Sequence, residues 1–67
     1  SAMTVDKIAR DIWIKSHMAA LLSKRAQQLG NQRDARTRIS NQIGRLNQQV
    51  KTLQARLDAL ADTDTDI

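Results

Sequence analysis

The side chains able to do chemistry are few and far apart. His17 is the single histidine, and its neighbours four residues either way are Trp13 and Leu21. On a helix, no carboxylate would then orient the ring as a general base, and no second ligand would join it on a metal. Ser16, Ser23 and Ser40 have no partner spaced to activate a hydroxyl. The chain has no cysteine, which removes a thiol nucleophile, a cysteine metal site and a disulfide framework. No glycine loop of the phosphate-cradling kind is present. The expectation is a protein that is not an enzyme, with no cofactor, no metal and no small-molecule substrate.

What remains is binding, and charge is the first guide to it. Lys24, Arg25, Arg33, Arg36 and Arg38 stand close together against Asp34, a local net charge of +4. The last ten residues carry Asp58, Asp62, Asp64 and Asp66, a local −4. The basic cluster suits phosphates and equally an acidic protein surface. No aromatic residue is interleaved with its arginines, so bases have nothing there to stack on.

These residues must be carried by helices. There is no proline, Ala, Leu, Gln and Arg are strong helix formers, and no segment alternates as a strand would. In the second half Ile39, Ile43, Leu46, Val50, Leu53, Leu57 and Leu60 follow each other at spacings of 4 and 3, a coiled-coil seam. In the first half the stripe is Val5, Ile8, Ile12, Ala19, Leu22, Ala26 and Leu29, with Lys15 interrupting one step.

The two stripes are out of phase, so the chain must turn between them. Gly30 suits the left-handed position past a helix end. Asn31 suits an N-cap, with Asp34 three residues on at the positive end of the next helix. Antiparallel pairing gives nearly constant index sums: Val5 with Leu57, Ile12 with Val50 and Ala19 with Ile43 sum to 62, and Ile8 with Leu53, Leu22 with Ile39 and Ala26 with Ala35 to 61. The predicted fold is all-α, an antiparallel helical hairpin. Helix 1 covers about 4–29, a turn 30–31, helix 2 about 32–61, and 62–67 form an acidic flexible tail. One continuous helix with a stutter at Gly30 is the competing architecture.

The first helix has more apolar residues than one seam can use. With Val5, Ile12, Ala19 and Ala26 at heptad position a, Ile14 and Leu21 fall at c and Met18 at g, roughly 200–240° around the wheel. Trp13 and His17 lie on the far side. A helix apolar on two faces is buried on two sides. The surplus stripe suits the core of a homodimer, with two hairpins forming a four-helix bundle. It also suits a docking surface for another protein, with Trp13, Ile14, His17, Met18 and Leu21 as its residues, and the two are compatible if the dimer leaves Trp13 outside. In architecture such a hairpin is similar to small plasmid copy-control proteins, in which two hairpins pair into a four-helix bundle and bind RNA. The likeness is of fold alone and transfers no site.

Size limits the core. With 67 residues the chain is one small domain, and below ~70–80 residues a core rarely supplies more than ~3–5 kcal/mol. Association is the expected remedy. Ser1-Ala2-Met3 reads as a cleavage scar ahead of a start at Met3, hence a short reading frame. Seven arginines to four lysines point to a GC-rich bacterial, plasmid or phage source. No stretch approaches the ~20 apolar residues of a membrane span, so a cytoplasmic protein without membrane contact is expected. The expected function is a non-enzymatic interaction module: an adaptor, chaperone or inhibitor that regulates a cellular protein. A nucleic-acid-binding regulator using the basic tip is the alternative.

Overall fold

The computed structural model describes the backbone of residues 2–65 and the side chains of residues 3–62. Two helices account for nearly all of it, α1 (Ala2–Gln28, 27 residues) and α2 (Arg33–Thr65, 33 residues). They pack along each other as a hairpin. The long dimension of 54 Å is close to the ~50 Å expected of 33 helical residues at 1.5 Å each.

The turn begins where α1 runs out of carbonyl partners. The Leu29 N–H donates to the Ala26 carbonyl (3.2 Å), and the Gln32 N–H to the Leu29 carbonyl (3.1 Å). Between them Gly30 takes φ +58°, the only positive φ among the described residues. A left-handed residue there cannot continue a helix, so the single long helix is excluded. The Arg36 guanidinium donates to the Gly30 carbonyl at 3.1 Å, setting a cation at the negative end of α1.

Two boundaries differ from expectation. The first bond of α2 runs from the Arg36 N–H to the Gln32 carbonyl (3.0 Å), so Gln32, not Asn31, is the N-cap residue. Turning after Gly30 consumes Asn31, and Asp34 in the first turn supplies the favourable charge instead. At the other end α2 continues to Thr65, four residues past 61. Neither Gly nor Pro interrupts residues 62–65, and each added helical residue gains one backbone bond. Asp66 and Ile67 lie outside the described residues.

The two seams face each other. Every apolar residue of both stripes is half-buried or buried, and Ile8 and Leu53 line one depression, as their index sum requires. Lys15 takes the step that lacks an apolar residue, at the height of Leu46. It remains three-quarters buried and bonds Asp11 at 2.7 Å one turn earlier. A polar residue at one seam position fixes register at a cost in stability. Lys15→Leu should therefore raise the thermal midpoint, by an amount equivalent to about 1 kcal/mol. A lower midpoint in a calorimetric scan would show instead that the ion pair holds the helices together.

The core is thin. Only Ile8 (6% exposed) and Ala19 (8%) are buried among the described residues. The radius of gyration is 15.6 Å, against about 11 Å for a compact chain of this length. The accessible surface is 5427 Å², against roughly 4,250 Å² for a folded monomer of 7.5 kDa.

The two glycines give opposite expectations. A Cβ at Gly30 or at Gly44 meets nothing within 4 Å, so backbone conformation alone decides. Gly30→Ala should destabilise by about 1–2 kcal/mol, the left-handed penalty. Gly44→Ala, inside α2, should stabilise by about 0.5–1 kcal/mol. Paired denaturant titrations check both signs.

Candidate functional site

The apolar residues left over from the seam gather on the side of α1 turned away from α2. Trp13 is 66% exposed, Leu21 55%, Met18 47% and Ile14 43%, and His17 is exposed among them. The spacing explains why. From the seam around Ile12 and Ala19, a step of ~100° per residue carries Trp13 and His17 to the outer crest. Leu21, Ile14 and Met18 then follow down one flank. Nothing in α2 can cover that crest, because a hairpin is only two helices wide.

Trp13 and His17, one turn apart, stack with ring centroids 5.2 Å apart and planes 8° from parallel. The stack sets the indole against the imidazole while two-thirds of Trp13 stays exposed. Ile14 reaches the inter-helix flank, where it lines a depression with Leu53 and Arg56. All five residues of the sequence-derived partner site are thus brought onto one outer surface of α1.

The basic tip is divided. Arg25 and Arg38 line one side of the hairpin, together with Leu29 and Arg45. Arg33 and Arg36 line another depression, with Asn31, Thr37 and Ser40. Lys24, exposed, falls near the outer crest of α1 by its spacing. Five neighbouring cations in sequence therefore do not make one surface, and the Arg36 guanidinium already serves the Gly30 carbonyl.

Sequence reasoning passed over Arg45, Arg56, Lys7 and Arg10, which line the same flank as Arg25 and Arg38. The signal was present. Lys7 and Arg25 are 18 residues apart, as are Arg38 and Arg56, and 18 residues are five helical turns.

Among the described residues no group of His, Cys, Asp or Glu is placed to hold a metal ion. No helix is long and apolar enough to cross a membrane. Comparison of the chain with protein families, with curated proteins and with solved structures finds no match.

Proposed function

We propose that the hairpin is a non-enzymatic protein-interaction module, a small regulator that acts by docking on another protein through the outer face of α1. One observation carries this reading: Trp13, Ile14, Met18 and Leu21 are all large, apolar and exposed on that face, while a separate seam, interrupted only at Lys15, already serves the fold. Tryptophan is enriched among residues that dominate interface energies. A fold with so thin a core also gains most from a partner that binds only the folded state.

The same thin core favours a second reading, a homodimer in which two hairpins make a four-helix bundle. Burial of about 800 Å² per chain is usual for a stable interface, and the surface in excess of a compact monomer is of that order. Nucleic-acid binding by the tip is the weaker alternative, because Arg25 and Arg38 line one side of it and Arg33 and Arg36 another.

Trp13→Ala tests the docking reading. Helicity and melting should stay unchanged, since the indole is two-thirds exposed. Affinity for a protein captured by the immobilised hairpin should fall about 30-fold, the equivalent of ~2 kcal/mol. Unchanged affinity, with binding lost instead on Arg33→Gln/Arg36→Gln and in high salt, would move the site to the basic tip.

A further inference from the structure

Three depressions on one flank of the hairpin run together. The one nearest the tip shares Arg45 with the middle one. The middle one shares Asp11 and Leu53 with the one nearest the open end. Together they make a continuous groove between α1 and α2. Its register is regular: Lys7 with Arg56, Ile14 with Gln49, Met18 with Arg45, Leu21 with Gln42 and Arg25 with Arg38 all sum to 63, next to the 61–62 of the seam. The groove therefore has a pair of cations at each end; its middle depression is lined by Lys15, Arg45, Gln48, Gln49, Thr52 and Leu53, and the exposed Ile14, Met18 and Leu21 follow its α1 side by their spacing. The two ends are 18 residues, or ~27 Å, apart. The one acid along it, Asp11, is already paired with Lys15.

We infer that this groove binds an amphipathic helix of a partner protein, with an apolar stripe at its centre and Asp or Glu in its first and last turns. The inference rests on the docking reading above and names the partner's class. A groove between two helices accepts a third helix as in any helix-in-groove complex. The apolar stripe meets Ile14, Met18 and Leu21. The acids, set about five turns apart, meet Lys7/Arg56 and Arg25/Arg38. Charge complementarity selects the acidic helix over a second copy of this chain. An isologous contact through the groove sets the tip cations either on the partner's open-end cations or on their own counterparts, and like charges meet in both. The helix is favoured over nucleic acid because the exposed Ile14, Met18 and Leu21 separate the two cation pairs along the α1 side, where a phosphate backbone gains nothing, and no aromatic side chain lines the groove for base stacking.

The test uses the full chain and synthetic probes followed by fluorescence anisotropy. The probes are a labelled helix of about five turns with a leucine stripe and glutamates in its end turns, the same peptide with glutamines there, and a DNA duplex. The glutamate peptide should bind at least about 10-fold more tightly than the glutamine peptide. Arg25→Gln/Arg38→Gln should cut that advantage to about threefold, the share left to Lys7 and Arg56, and Ile14→Ser/Leu21→Ser should weaken both peptides. These residues are exposed or at the groove margin, and circular dichroism of each variant verifies that the hairpin persists. Equal binding of the two peptides, still lost on Ile14→Ser/Leu21→Ser, overturns the acidic-helix inference and leaves the docking face standing. Duplex binding tighter than either peptide, lost on the arginine variant alone, overturns both. So does failure of every probe to bind at roughly 100 µM.

Discussion

Ile8→Asp abolishes the fold. Ile8 is the most buried large side chain of the hairpin, 6% exposed, and shares its surroundings with Leu53. Arg56 lines the same depression but is exposed, so pairing with it would draw the carboxylate out of the seam. Burying it unpaired costs several kcal/mol, or forces it to protonate. A core of this size has only ~3–5 kcal/mol to lose. The far-ultraviolet circular dichroism of the variant should be that of a largely unfolded chain, with no cooperative melt. Ile14→Asp is the matched control. Ile14 is 43% exposed, its carboxylate stays hydrated, and its effect should remain near the ±0.5 kcal/mol typical of surface changes. Comparable melts for the two variants would mean that the seam has been drawn on the wrong side of α1.

The second large effect is on binding. Ile14→Ser/Leu21→Ser should reduce affinity for a protein partner about 100-fold. Each apolar side chain buried at the interface contributes ~1.5 kcal/mol, and 3 kcal/mol is about two decades in Kd. The loss should appear mainly in the dissociation rate, because neither substitution changes charge. Isothermal titration with the partner checks the magnitude. A loss of less than about threefold would place these side chains outside the contact.

The fold was legible because the coiled-coil pattern is a one-dimensional signal. Spacings of 4 and 3 from Ile39 to Leu60 identify both the helix and its buried side. The constant index sums then follow from having a second stripe to pair with. Gly30 was legible for a local reason too, since its left-handed φ of +58° is what glycine alone adopts without strain. The N-cap was not. Asn31 and Gln32 compete for that position, and the choice depends on how the turn after Gly30 closes onto Leu29. The end of α2 was missed for another reason: acids at a helix C-terminus oppose its dipole only modestly, while the backbone bonds still form. The exposed stripe of α1 could be read from the wheel, because exposure on a two-helix fold is a matter of angle. The flank groove could not be read from either helix alone. Lys7, Arg25, Arg38, Arg45 and Arg56 become one surface only once the register of the hairpin is known, and neighbours such as Arg36 and Arg38 then part to opposite sides.

The central claim is that α1 has two faces with separate work, one folding against α2 and one reserved for a different protein. Equilibrium sedimentation of the wild-type chain and of Ile14→Ser/Leu21→Ser, run side by side at micromolar concentration, addresses it most directly. If the outer stripe serves a heterologous partner, the two proteins have the same mass and the same helicity. A wild-type mass of twice 7.5 kDa that falls to the monomer in the variant would contradict the claim, and would make the stripe the core of a self-paired bundle.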